Sequence, residues 1–230
     1  MEDLRLEKVS PTLSVYQQKG VFCYGTDAVL LAKFVLRYYK SMNKKKMCDL
    51  CSGTGIIPLM LCDSNAQIET CGVEINEDAC RIAAMSADIS GYSDRYTQHN
   101  CNIKEIRSVF PSESFDFITC NPPYMRADSG RMCKDDYKTI ARHEILCTID
   151  DVFKAASYLL GTGGNIFIVY RSDRLSSLFK AANDNRFEIK ELVSVISADT
   201  PCVSKIILCR ASKDSSEGLK FTVENVDNFR

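Results

Sequence analysis

Several things are scarce in this 230-residue chain, and each absence excludes a class of protein. No apolar run approaches the roughly 18 residues needed to span a bilayer, so no transmembrane helix is expected. The start, Met1-Glu2-Asp3-Leu4-Arg5, is charged and has no apolar stretch of the kind a secretory signal needs. Charge of one sign is not in excess: 29 Lys+Arg face 30 Asp+Glu, a formal net charge of -1. A globally basic coat for nucleic acid is thereby excluded, and a polyanion must be met by a local patch. With 6 Pro and 11 Gly, 45% hydrophobic residues and 26% charged ones, collagen-like, disordered and coiled-coil classes drop out. The sequence reads as a soluble cytoplasmic protein.

Cysteine is the exception to this scarcity. Twelve are present, below the density of short disulfide scaffolds. Cys48, Cys62, Cys71, Cys120, Cys147 and Cys209 sit inside apolar runs, where thiols act as small hydrophobes. Cys48 and Cys51 have CxxC spacing, but neither a second CxxC nor a His pair accompanies them, and no metal site is expected.

The length suits one substantial globular domain. Residues 1–45 read as an extended or hairpin segment followed by a helix capped at Thr26 or Asp27. From residue 46 strands and helices alternate. The strands fall at 46–51, 68–74, 96–101, 115–120, 164–170, 187–196 and 203–210. The helices fall at 55–63, 76–90, 102–109, 150–160 and 173–184. Such alternation predicts an α/β fold: a doubly wound, mostly parallel seven-stranded sheet. The last two strands follow one another without a helix, which predicts a closing antiparallel hairpin. Residues 46–212 would form the core and 213–230 a tail.

Ligands bind such sheets at the carboxyl ends of the strands. The first strand runs into Asp49-Leu50-Cys51-Ser52-Gly53-Thr54-Gly55, a turn that lets backbone approach a ligand closely. The second ends at Glu74-Ile75, with Glu74 19 residues beyond Gly55. An acidic residue at about that distance accepts hydrogen bonds from ribose hydroxyls. The third fingerprint position is Pro58 instead of glycine, which disfavours a dinucleotide.

The fourth strand enters Asn121-Pro122-Pro123-Tyr124. Consecutive prolines fix φ and leave carbonyls without competing donors. Asn121 and Pro122 offer acceptors for the two hydrogens of a planar amine, and Tyr124 offers a face for stacking, worth roughly 1–3 kcal/mol for a base.

These two strand ends together resemble the S-adenosylmethionine-dependent class I methyltransferases. The Asn-Pro-Pro-Tyr motif is similar to that of members acting on amines conjugated to a ring or carbonyl. Further stretches, Phe22 to Leu31 and Ala141 to Thr148, resemble the bacterial methyltransferases that modify an adenine N6 beside the anticodon of valine tRNA. The resemblance implies S-adenosyl-L-methionine as cofactor, held by Gly25, Thr26, Asp27, Asp49, Cys51, Gly53, Gly55, Glu74, Ile75, Asn102 and Asn121. It implies Asn121, Pro122, Pro123 and Tyr124 as the catalytic set and tRNA as partner, without metal or membrane. Cys51 and Asn102 stand where that family usually carries Gly and Asp.

A long loop, 125–143, carries Arg126, Arg131, Lys134, Lys138 and Arg142 against three aspartates and suits a phosphate backbone. Within it and Tyr124 before it, Tyr124, Arg126, Arg142 and His143 are substrate candidates, although His143 also suits a helix start. Lys44-Lys45-Lys46 reads as a solvated connector. Three alternatives stay open: a glutamine methyltransferase acting on a release factor, a DNA or rRNA adenine methyltransferase, and a non-catalytic nucleic-acid-binding protein with a vestigial pocket. Oligomeric state is not legible.

Overall fold

The chain opens with a hairpin that is docked by hydroxyl groups. In the computed structural model, which describes residues 4–18, 21, 23–39, 45–64, 67–123, 147–197 and 203–229, β1 (Leu4–Lys8) pairs antiparallel with β2 (Ser14–Gln18). Helix α1 (Thr26–Tyr39) follows. Strand β3 (Lys45–Leu50) then starts the alternation with α2 (Ile56–Ser64), β4 (Ile68–Glu74), α3 (Glu77–Ile89) and β5 (Tyr96–Asn100). A 3-10 turn at Ile103–Ser108 replaces the helix expected at 102–109. After it come β6 (Phe115–Cys120), α4 (Ile149–Leu159), β7 (Leu160–Arg171), α5 (Leu175–Asp184), β8 (Phe187–Ile196) and β9 (Ile206–Lys213).

The expected seven strands are present, and the tail adds an eighth. Residues Lys220–Asn225 form β10, parallel to β8, and the sheet order is β10-β8-β9-β7-β6-β3-β4-β5. Among the described strands of this sheet, only β9 runs against its neighbours. The tail is fastened by Arg37 of α1, which makes two hydrogen bonds to Glu224 (2.7 and 2.9 Å) and lies over the Phe229 ring. Strand β10 was not legible as a strand because Phe221 and Val223 point outward, so no buried apolar run marks it.

Apolar side chains from the two faces of the sheet form two core clusters. One gathers β2, α1, α2 and α3 residues, the other α4 and α5 residues. Helix starts are fixed locally: Asn76 accepts from the Ala79 N–H (2.9 Å), and Thr148 and Asp151 make a reciprocal capping box. Among the described residues no helix is long and apolar enough to cross a membrane.

The hairpin is held by Ser86 and Ser90 of α3 and its cap, which bond the backbone of Tyr16 and Ser14, and by Asp63 at the end of α2. Its carboxylate accepts from Ser10 (2.7 Å), Thr12 (2.5 Å) and Tyr92 (2.5 Å). Burial alone would raise its pKa, but these three donors outweigh burial and hold it below the ordinary carboxylate range. A group with a lowered pKa contributes stability above its unfolded value of about 3.9, and that stability is lost as pH falls through the folded one. Asp63→Asn is therefore expected to destabilise the chain by about 1–2 kcal/mol at pH 7, read by chemical denaturation, and to flatten the acid limb of the stability profile. An unchanged midpoint would mean the hydroxyls bond water equally well.

The order of strands reverses between β3 and β6, which grow the sheet in opposite directions. Their register sets Asp49 beside Thr119 and Leu50 beside Cys120. The two loops that follow, one after Leu50 and one after Cys120, thus leave the sheet side by side at its switch point.

Candidate active site

The loop after β3 is built on positive φ values: Cys51 at 58°, Gly53 at 54° and Gly55 at 79°. The two glycines need this freedom for different reasons. A side chain on Gly53 would meet nothing within 4 Å, so its open face is turned to solvent. A Cβ on Gly55 would meet the Tyr96 hydroxyl at 2.7 Å and Ala83 at 3.1 Å. Close packing, more than ligand approach, constrains that position. Gly55→Ala is expected to cost about 1–3 kcal/mol of stability and to weaken cofactor binding by loop displacement; a wild-type melting temperature would contradict this.

Glu74 at the end of β4 locks the loop. Its Oε2 accepts from the Gly53 N–H (2.9 Å) and its Oε1 from the Asn76 N–H (2.9 Å). A carboxylate has about four acceptor positions, so each oxygen retains capacity for a ribose hydroxyl. Ile75 beside it is 40% exposed. Asn100 steadies this corner by donating to the carbonyls of Glu74 and Ile75, both at 3.0 Å. Beneath the loop, Ser52 and Tyr96 hydrogen-bond Gln98.

Asp49 is fully buried under the same loop. Thr119 donates to its Oδ1 at 2.5 Å, while its Oδ2 has no partner among the described residues. Burial pushes its carboxyl up to about 8, against the lowering effect of the Thr119 hydroxyl, and the nearby Glu74 charge adds to the rise. An orphaned buried carboxylate oxygen is costly unless something cationic or protonated meets it. That fits a ligand bearing an ammonium group. The observation therefore supports an amino-acid-bearing cofactor at this loop.

A small cleft of about 30 Å³, open to solvent, is lined by Tyr24, Ala28, Cys51, Ser52, Gly53, Thr54, Ile56, Ile57 and Asn121. The structure thus brings Asn121 to the same cleft as Cys51 and Gly53, although some 70 residues separate them in sequence. Pro122 is buried behind Asn121. Of the expected segment at 25–27, the flanking Tyr24 and Ala28 line the cleft, and Asp27 is buried with its Oδ1 accepting from the Ala28 N–H at 3.0 Å. Asn102 spends its oxygen capping the 3-10 turn, accepting from Lys104 N–H at 3.0 Å. Its carbonyl has a second lone pair free for a ligand. Tyr124, Arg126, Arg142 and His143 lie outside the described residues.

Sequence reasoning missed Tyr24, Ser52, Thr54 and Thr119. Tyr24 belongs to a stretch already suspected, and Ser52 and Thr54 lie between the named loop residues. Thr119 carried no local signal, because its partner Asp49 is 70 residues away and meets it only through sheet register. The CxxC pair does not act as a unit: Cys48 is buried on its strand and associates with Cys71, while Cys51 stands on the loop. Among the described residues no cluster of His, Cys, Asp and Glu is arranged to hold a metal ion.

Known proteins share both the sequence and the fold. The methyltransferase small domain family matches residues 12–182. A tRNA1(Val) (adenine(37)-N6)-methyltransferase from Porphyromonas gingivalis is 31% identical over 173 residues, covering 74% of this chain and 67% of that one. A release factor glutamine methyltransferase from Clostridium acetobutylicum is 32% identical over 126 residues, 55% of this chain, and the chain spans 44% of that relative's length. Among solved structures, a predicted O-methyltransferase from Agrobacterium tumefaciens superposes with a TM-score of 0.67 at 20% identity, covering 86% of each chain. That likeness concerns the fold.

Proposed function

The chain belongs to the methyltransferase small domain family and uses S-adenosylmethionine, and from that premise we propose that it methylates the exocyclic N6 amine of an adenine in tRNA, next to the anticodon of a valine tRNA. The observation that carries the proposal is the shared cleft: Asn121, at the end of β6, lines the same space as Cys51, Ser52 and Gly53 of the cofactor loop.

When bound, S-adenosylmethionine supplies an electrophilic methyl group on a sulfonium. Gly53 and Glu74 would hold its sugar end, and Asp49 its ammonium. The chain's own task is to prepare a poor nucleophile, because the lone pair of a ring-conjugated amine is delocalised. Asn121 Oδ1 and the Pro122 carbonyl accept the two amine hydrogens and orient the nitrogen. They also favour the positive charge that develops as nitrogen attacks, so orientation and charge complementarity carry the catalysis. No strong base is required, since the methylated amine is acidic enough to lose its proton to water. Tyr124 stacks on the flipped-out adenine.

The relative named for tRNA1(Val) aligns over 173 residues and the one named for release factors over 126, which favours the nucleic-acid acceptor. A tRNA substrate would make the chain cytoplasmic. The test is to incubate the protein with radiolabelled S-adenosylmethionine and, separately, tRNA, rRNA, DNA and a release factor. Label in tRNA, recovered as N6-methyladenosine on nucleoside mass analysis, is the expected result. Label in the release factor alone would transfer the reading to glutamine.

A further inference from the structure

Three thiols meet at the cofactor loop. Cys51 Sγ lies 3.7 Å from Cys147 Sγ, and Cys120 is near enough to perturb the Cys51 thiol. Each comes from a different segment. Cys51 stands on the loop after β3, Cys120 ends β6 immediately before Asn121, and Cys147 precedes Thr148, the cap of α4. Cys120 is buried, whereas Cys51 and Cys147 are partly exposed and Cys51 lines the cleft. Cys51 holds φ of 58°, a region that disfavours any residue with a Cβ. A side chain thus stands where the backbone would prefer none, and its sulfur lies against that of Cys147.

We propose that Cys51 and Cys147 form a modification site, a dithiol pair that low-molecular-weight disulfides oxidise to an intramolecular disulfide, lowering affinity for the cofactor. The inference rests on the reading that this cleft holds S-adenosylmethionine. One protein thiolate attacks a sulfur of the small disulfide, making a protein mixed disulfide and releasing one small thiol. The second protein thiol displaces the other small thiol. Two protein thiols are oxidised by two electrons, the small disulfide is reduced to two thiols, and these carry away the two protons.

Geometry gives the consequence. A disulfide needs sulfurs about 2.0 Å apart, so the pair must close by roughly 1.7 Å. The left-handed backbone at Cys51 fixes where its Cβ points, so the loop itself must follow. Gly53, two residues on, would then be drawn from Glu74, which its N–H now holds at 2.9 Å. The same bond would pin Cys147, at the start of α4, to the cofactor loop. The Cys120 neighbour and burial raise the Cys51 thiol against a lowering effect of Cys147, and the Cys51 neighbour and burial raise Cys147, so little thiolate is present and attack on the small disulfide is slow.

The test uses the full chain treated with oxidised glutathione or with dithiothreitol. Non-reducing peptide mass mapping and titration with S-adenosylhomocysteine are then run on both. The expected result is a Cys51–Cys147 linked peptide and a Kd at least tenfold weaker, both reversed by dithiothreitol. Cys147→Ser, under the same oxidation, is expected to keep the Kd of the reduced protein. Absence of the linked peptide, its presence with a Kd within twofold, or equal loss in Cys147→Ser would each overturn the proposal. None of these readouts involves an acceptor, so failure here and failure of the tRNA reading are distinguishable.

Discussion

Asn121→Ala is expected to lower the rate of methyl transfer by about 10²–10³-fold while S-adenosylhomocysteine still binds with nearly wild-type affinity. Asn121 acts on the amine, and the cofactor loop is organised independently of it: Gly53 is held by Glu74 and Ser52 by the Val73 carbonyl and Gln98. Removing the amide takes away one of two acceptors without touching those bonds. The remaining Pro122 carbonyl cannot orient both hydrogens, and the developing charge loses its closest partner. Single-turnover kinetics with labelled cofactor measures the rate, and calorimetry measures binding. Equal loss of both would mean Asn121 is a structural element of the cleft.

The second large effect concerns pH. With the Asp49 carboxyl raised to about 8 by burial, the ligand-free protein carries it protonated at neutral pH. An ammonium group brought to its unpartnered oxygen would favour the ionised form, so binding releases a proton below pH 8. Affinity for S-adenosylhomocysteine should then rise toward tenfold per pH unit between about pH 6 and pH 8, and level off above. Stability of the ligand-free chain runs the other way. A carboxyl whose folded pKa is raised contributes stability that is fully present below its unfolded value of about 3.9 and is lost as pH rises through about 8. Asp49→Asn should therefore bind weakly with a flat pH profile, yet melt higher than wild type at pH 8.5. A wild-type slope retained in that variant would assign the proton to another group.

Much of the fold was legible because the central strands β3 and β6 are buried on both faces. Met47-Cys48-Asp49-Leu50 and Phe117-Ile118-Thr119-Cys120 are continuous buried runs, and the helices α3 and α4 start at side-chain caps with acidic first turns. Strand β10 escaped because its apolar residues face outward and its place depends on pairing with β8 and on Arg37, both remote in sequence. The 3-10 turn at Ile103–Ser108 read as a helix because its two buried residues, Ile103 and Ile106, have a spacing common to both.

For the site, the loop glycines and Glu74 were visible as spacing, and Asn121 as the residue before two prolines. The division of labour between glycines was not visible, since Gly55 is required by Tyr96, which arrives from β5. Nor could the orphaned oxygen of Asp49 be read from sequence. It exists because one neighbour, Thr119, supplies a hydroxyl and no other described residue does. Cys51 illustrates the same limit: a cysteine at a glycine-like position is an oddity in sequence, and only the fold sets Cys120 and Cys147 around it.

The most direct check is a crystal structure with S-adenosylhomocysteine bound. Glu74 is expected to accept from the ribose hydroxyls, with the ammonium facing Asp49. The sulfur, standing where the methyl donor would, is expected to open toward Asn121. A ligand seated elsewhere, or in this cleft with its sulfur turned from Asn121, would contradict the proposed chemistry.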